Sequence, residues 1–494
     1  MNVLFIYPDY SPEHSRRFNV GVAQLAACLK QAGHTTHLYH YYAPAQTLDA
    51  LADYVCELKP DVLAYSAITN QMPNIRRMAE KLAPLGIYSV MGGVHPTLSP
   101  EECLDIPGIN AVCRGEGESA FVEFLDRLMY GGDITSVANF WVKTGGMIQR
   151  NDCRPLIENL DSLPPPDYEL FHYEELPEYT VNRSLVVAAS RGCPHDCTYC
   201  CNHALRSLYP NAPRHYLRYR SPSSTLKTIR HGLVLYPELE RVRFTDDTLS
   251  QKKEWFREFA GHYKTEIGLP YSTNDRCTAI TEEIADLYVT SGCVSVDLGI
   301  ENGNQEIRDK IMKRRMSEEQ ILKAFSLLKS RGINVNAFNI LGMPGETMST
   351  IIDTLKINAR LLPTMTYNAF YQPFPGTEAR QMCVAQGLCM EKEFPPGFAI
   401  RPMVQLPGVS VDELIFVGNF FRFLMRCYRG ALSADGRMER LIDRVLLSRC
   451  LPYRLINALV PTPAEFRHNH PLISEAVTSM IRKWRRLTRS HKRY

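Results

Sequence analysis

What most restricts the fold of this chain is a rhythm. Continuous apolar runs recur along it, each followed by a stretch with helical spacing: "VLFIYP" (3–8), "DVLAYSA" (61–67), "GIYSVMGG" (86–93) and "AVCRGEGE" (111–118). Runs without polar alternation belong to strands covered on both faces, and strands separated by helices pair in parallel. With "THLYHYY" as a fifth strand and helices over 21–33, 46–58, 75–85 and "AFVEFLDRLMYGG", the first ~130 residues read as a doubly wound sheet. A ligand for such a sheet sits off the carboxyl ends of its strands. Those ends read Tyr7-Pro8, Ser66-Ala67, Gly92-Gly93 and Arg114-Gly-Glu-Gly-Glu118. Small residues there admit a flat or bulky ligand, although glycines that only make turns explain the same pattern. The G-x-G-x-x-G fingerprint is absent after the first strand, which argues against a nicotinamide cofactor.

Residues 141–183, with "LPPPDYELF", have the composition of a semi-rigid linker. The rhythm then resumes. "SLVVAAS", "RVRFTDD" (241–247), "PYSTND" (270–275), "VSVDLGIENG" (294–303), "VNAFNILGMPGE" (335–346) and "YNAFYQPFPGT" (367–377) alternate with helical segments. Six such units predict a partial (β/α)6 barrel with its chemistry on the loops after the strands. The expected organisation is 1–140 front domain, 141–183 linker, 184–400 barrel, and 401–494 a helical region ending in "IRKWRRLTRSHKRY". That terminal stretch reads as a solvated end, with contact to an acidic partner or a headgroup surface as the alternative. The aromatic-rich segment "FVGNFFRFLMRCYRG" (416–430) reads as a core helix, with a lid over a large apolar substrate as the alternative.

Composition closes off several classes. Over 494 residues a formal charge of +3 provides no concentrated basic face, so no nucleic-acid partner is expected. "MNVLFIYPDY" lacks the basic start and long apolar core of a secretion signal, and no stretch approaches the ~18 apolar residues of a membrane helix. A cytoplasmic location is the expectation. In a reducing compartment the 15 cysteines form no disulfide framework. Isolated ones such as Cys28, Cys56, Cys113, Cys293 and Cys427 read as small buried hydrophobes.

The stretch "RGCPHDCTYCCNH" (191–203) requires a different account. Cys193, Cys197 and Cys200 follow C-x3-C-x2-C, directly after the first barrel strand. Soft thiolates so closely spaced suit three corners of a cubane iron–sulfur cluster, leaving one iron open to a ligand, much as a catalytic zinc keeps an open position. Structural zinc through His203 is the competing reading, but zinc modules usually pair two knuckles and no second C-x2-C exists here. Cys201 adjoins Cys200 and should point elsewhere, as a bystander.

C-x3-C-x-aromatic-C after the first strand of a partial barrel resembles the signature of the radical S-adenosylmethionine enzymes. With "MGGVHPTLSPEE" and "VCRGEGESAF" in front, and "FTDDTL", "SGCVSVDLGIENGN", "MKRRMSEEQI", "ILGMPGET" and "QPFPGTEA" in the barrel, the chain resembles the cobalamin-binding subgroup that includes magnesium-protoporphyrin ester cyclases and P-methylases. The likeness spans residues 1 to about 390.

This resemblance implies three cofactors: a 4Fe–4S cluster, S-adenosylmethionine and cobalamin. Cys193, Cys197 and Cys200 would ligate the cluster, Tyr199 would lie beside the adenine, and Asp246 or Asp247 would take the methionine amino group. Arg276, Glu301 and Arg314 would be further cofactor contacts, or else rim ion pairs. Ser66, Thr69, Gly92, Gly93, His95 and Glu116 would face the corrin, or be structural. None of the fourteen histidines has Asp two positions before it, so the D-x-H-x-x-G pattern is absent and no histidine is expected on cobalt. The implied activity is methyl transfer to an unactivated carbon or phosphorus centre, through methylcobalamin and a 5′-deoxyadenosyl radical. The alternative is a radical oxidative cyclase or rearrangement enzyme acting on a tetrapyrrole or lipid-like molecule. A binding module with a degenerate site fits poorly with the intact cysteine triad. Expected partners are a small-molecule or natural-product substrate and an electron donor such as flavodoxin or ferredoxin.

Overall fold

β1 (Asn2–Pro8) is buried along almost its whole length, as a continuous apolar run requires when helices cover both faces. A computed structural model describes residues 1–9, 16–42, 46–209, 216–390, 393–395, 397–398, 400–432, 436–448 and 451–459. β2 (Thr35–Tyr41), β3 (Val62–Ser66), β4 (Tyr88–Gly92) and β5 (Ala111–Cys113) join β1 in parallel. The strand order is β2-β1-β3-β4-β5, the flavodoxin-like arrangement.

Two further strands extend this sheet. β6 (Phe140–Thr144) and β7 (Met147–Arg150) form an antiparallel hairpin on its edge. They occupy the start of the stretch expected to be linker. The turn between them is Gly145-Gly146, both with positive φ, which a two-residue hairpin loop demands.

β8 (Ser184–Val187) begins the second sheet, and the short pair β9 (Ser190–Arg191) and β10 (Arg218–Tyr219) follows the cysteine loop in and out. β11 (Arg241–Phe244), β12 (Tyr271–Asp275), β13 (Cys293–Glu301), β14 (Asn334–Leu341) and β15 (Met365–Phe370) complete six parallel strands in the order β15-β14-β13-β12-β11-β8. This is the open (β/α)6 barrel read from the sequence. The intervening helices start where side chains can satisfy their free N–H groups. Thr281 accepts from the backbone of Ile284, and Ser317 forms a capping box with Gln320. Gly292, at φ 92°, ends the helix Glu282–Ser291.

Beyond the barrel, the helix Val411–Leu432 lays Leu414, Val417, Phe421 and Leu424 into a core with the helix Met348–Leu361. The aromatic segment 416–430 is thus a core helix, and none of its residues lines the cavity described below. No described helix is long and apolar enough to cross a membrane. The basic stretch 481–494 lies outside the described residues. Of the isolated cysteines, Cys28, Cys113 and Cys293 are buried, but Cys56 is exposed and Cys427 is half-buried. Each of these two lies on the polar-facing side of an amphipathic helix.

Candidate active site between two strand edges

The carboxyl edges of the two sheets face each other. Beyond β3, the Nδ2 of Asn70 donates to Oε1 of Gln372, just past β15, at 2.8 Å and to the Pro395 carbonyl, further along the chain, at 2.7 Å. Beyond β5, Glu116 accepts from Arg191 at 3.0 Å and from Arg218 at 2.9 Å, and the Ile157 N–H also reaches it. Arg191 additionally meets Glu118 at 2.5 Å. These cations hold the Glu116 carboxyl below its ordinary range despite burial.

On the barrel side a cavity of about 660 Å³ opens at the carboxyl ends of the strands. Cys193, Cys197 and Cys200 all line it, whereas Cys201 does not. The backbone of their loop is pinned: Thr198 donates through its hydroxyl to the Ile311 carbonyl at 2.6 Å and through its N–H to Met312 at 3.1 Å. Cys201 adjoins Cys200 and interacts with it electrostatically, its thiol lowered while that of Cys200 is raised. Burial pushes the Cys193 thiol up to about 12, and the Cys201 thiol with burial raises Cys200 as well.

The charges that could meet a ligand sit around Cys197. Its sulfur lies 3.6 Å from Nη1 of Arg276 and 3.7 Å from Nη1 of Arg314. Nε of Arg276 is buried without a partner among the described residues. Arg314 also donates to the Tyr199 hydroxyl at 2.8 Å and to the Gly299 carbonyl at 2.6 Å, and stands 3.5 Å from Glu301. Two features of β13 make this possible. A Cβ at Gly299 would fall 2.3 Å from Glu301 and 2.5 Å from Arg314, so only glycine leaves room for the pair. Glu301 has φ +68° at a register shift against β14, a conformation costing about 1–3 kcal/mol that surrounding structure must enforce.

The two candidate aspartates separate cleanly. Asp246 is buried, and its carboxylate accepts from the backbone of Ala189 at 3.1 Å and of Ser190 at 2.5 Å, and from the Ser190 hydroxyl. It ties the end of β8 to the end of β11, and it does not line the cavity. Asp247 does line it, with Asn202 donating at 2.8 Å. Burial raises both, Asp246 to about 6.

In the front domain the six expected residues divide in the same way. His95 is buried, with Nδ1 3.1 Å from the Thr69 hydroxyl and Nε2 lacking a hydrogen bond among the described residues. Burial, then Arg380 and Arg76, lower it to about 4, so the imidazole is neutral. Ser66 is half-buried at the end of β3. Gly92 leaves ordinary room, but a Cβ at Gly93 would lie 2.6 Å from the Ala67 carbonyl, so that glycine serves the chain's own packing. Glu116 is engaged by Arg191, Arg218 and the Ile157 N–H.

Sequence reasoning did not name Asn202, His195, Asp297, Phe338 or Tyr367, all of which line the cavity. The inner face of β14 and β15 was readable from period-two alternation, in Asn336, Phe338 and Ile340 and in Tyr367 and Ala369.

Three cysteines of one loop around a single cavity suit a cluster whose corners are held separately. At the front edge Oδ1 of Asn70 is buried without a partner among the described residues, which suits a ligand with neutral amide groups such as a corrin. Nε2 of His95 stands 3.6 Å from the Glu102 carboxylate. Residues 187–357 match the radical SAM superfamily profile, and residues 16–125 match the B12 binding domain profile.

The chain is a cobalamin-binding radical S-adenosylmethionine enzyme.

Its cofactors are a 4Fe–4S cluster, S-adenosylmethionine and cobalamin. An uncharacterized methyltransferase of Pyrococcus horikoshii is 26% identical over 401 residues, covering 80% of this chain and 84% of that one. The anaerobic magnesium-protoporphyrin IX monomethyl ester cyclase of Rubrivivax gelatinosus is 29% identical over 451 residues, covering 86% and 78%. In fold, the chain is similar to the cobalamin-dependent S-adenosylmethionine radical enzyme OxsB, with a TM-score of 0.66 at 15% identity over 97% of this chain and 75% of that one.

Proposed function

We propose that this enzyme transfers a methyl group to an unactivated carbon or phosphorus centre of a small molecule. The observation that carries the proposal is the apposition of the two strand edges, which sets the cysteine cavity opposite the front domain. When bound, the cluster with S-adenosylmethionine supplies one-electron cleavage of a sulfonium, and cobalamin supplies a transferable methyl group.

The chain's own residues position and exclude. Cys193, Cys197 and Cys200 would hold the cluster, and Asp247, with Asn202 behind it, would accept the methionine amino group. Arg276, through its unpartnered Nε, would face the methionine carboxylate. Tyr199, fixed by Arg314 and Glu301, would fill the space beside the adenine. Asp246 keeps the cysteine loop at the right height by binding the backbone below it. In the front domain Ser66, Thr69, His95 and Gly92 would bound the corrin, with Nδ1 of His95 held by the Thr69 hydroxyl. The Asn70–Gln372 and Glu116–Arg191 contacts close the gap between the edges against water, which a radical needs.

A cyclase reading draws on the Rubrivivax relative. The two separate in one assay: S-adenosylhomocysteine should accumulate in step with product if methyl is transferred. Product formed with 5′-deoxyadenosine but without S-adenosylhomocysteine would establish the cyclase reading.

A further inference from the structure

The cavity has two unlike walls. On β11 to β13 charged groups pair: Asp297 accepts from Arg243 at 2.8 Å and from Asn336 of β14 at 2.7 Å, and Arg243 also reaches Asn274. The adjoining wall, on β14 and β15, sets two rings among Asn339, Ile340, Asn368 and Ala369. Phe338 and Tyr367 are register partners on adjacent strands, their ring centroids 4.8 Å apart and their planes within 22°. Both line the cavity, yet they are 37% and 44% exposed. Phe398 joins them, itself 38% exposed. Their outward-facing neighbours Ala337, Leu341 and Phe370 are fully covered, so the exposure is confined to the inner face.

We propose that this wall recognises the substrate, and that the substrate carries a flat aromatic or conjugated body. The inference rests on reading the cavity as the reaction site. Large rings left uncovered inside a concave site mark where an apolar ligand lies. Rings reward other rings through offset and edge contacts beyond the area they cover, whereas an alkyl chain would be served as well by leucine. A small polar metabolite would leave these rings wet.

The test is calorimetric titration of the reconstituted full chain with two sulfonates of different body, 1-anilinonaphthalene-8-sulfonate and octane-1-sulfonate. The aromatic sulfonate should bind one per chain and at least tenfold more tightly than the alkyl one. The double variant Phe338→Leu/Tyr367→Leu keeps apolar volume and removes the rings; it should weaken the aromatic probe at least tenfold and leave the alkyl probe unchanged. Phe423→Leu, on the outer helix, should alter neither. An unmoved unfolding midpoint shows that the double variant is folded. Equal affinity for the two sulfonates, no binding, or an unaffected double variant would overturn the assignment. Neither arm requires turnover. Ring discrimination without methyl transfer would therefore strike only the proposed reaction, and methyl transfer without ring discrimination only the substrate class.

Discussion

The two carboxyl edges are built alike and used differently. At the front edge most polar groups are already engaged: Gln71 donates to the Pro8 carbonyl, Asn70 to Gln372 and Pro395, and Glu116 is spent on two arginines. At the barrel edge the strands leave a cavity of about 660 Å³ lined by three thiols, three guanidiniums and four carboxylates. The same βα construction thus yields a docking face in one case and a reaction chamber in the other. The difference is made by side chains that reach across to the partner domain and not by the order of strands.

The largest effect that would break this contrast is loss of the cluster. Replacing Cys193, Cys197 or Cys200 by Ala should take iron from about four per chain to near zero and abolish activity, while Cys201→Ala should keep both. Bleaching of the Cys201→Ala protein would show that the thiol beside Cys200 is a ligand. Next is the docking face. Glu116→Ala leaves Arg191 and Arg218 partly unpaired, and removing one member of a buried pair costs about 3–5 kcal/mol. The unfolding transition should move down and split, with the front domain melting separately. A single unshifted transition would mean that the edges are held by other contacts.

The aspartates sharpen the comparison within the barrel edge. Asp246→Ala strands the N–H groups of Ala189 and Ser190 and should cost roughly 2–5 kcal/mol of stability. Asp247→Ala should leave the melting temperature alone and weaken S-adenosylmethionine binding, measured by equilibrium dialysis, by about tenfold or more. The reverse pattern would exchange their roles. The smallest effect is at Glu346, which lies fully buried and accepts from Gly342 at 2.7 Å, Met343 at 2.8 Å and Asn302 at 2.6 Å. Burial raises its carboxyl from 4.5 to about 7. A raised acid stabilises the fold fully below its ordinary value and loses that contribution as pH climbs through 7. Stability should therefore fall by about 1–3 kcal/mol between pH 4.5 and 7, and Glu346→Gln should flatten that part of the profile. A variant with an unchanged profile would assign the dependence elsewhere.

The front sheet was legible because β1, β3, β4 and β5 are buried on both faces and read as apolar runs. The barrel was legible because its strands, such as β12 and β14, recur between helical segments, although they alternate buried and uncovered residues. The β6–β7 hairpin was not, since its residues are half exposed and sit among linker-like sequence, even though Gly145-Gly146 marks the turn. The cysteine triad was legible from spacing alone. Spacing could not separate Asp246 from Asp247, because adjacent residues at a strand end point to opposite sides and only the fold says which side is the cavity. Nor could it reveal that Glu116 is engaged, since Arg191 and Arg218 lie 75 and 102 residues away along the chain. The aromatic wall escaped because Phe338 and Tyr367 look like ordinary strand residues until their inner face is seen to be uncovered.

The measurement that tests the account most directly uses S-adenosylmethionine deuterated in its methyl group, with flat aromatic candidate substrates and mass analysis of the product. The account predicts that the whole deuterated methyl group appears in the product, with S-adenosylhomocysteine and 5′-deoxyadenosine both formed in step with it. Product that forms together with 5′-deoxyadenosine yet carries no deuterium would contradict methyl transfer.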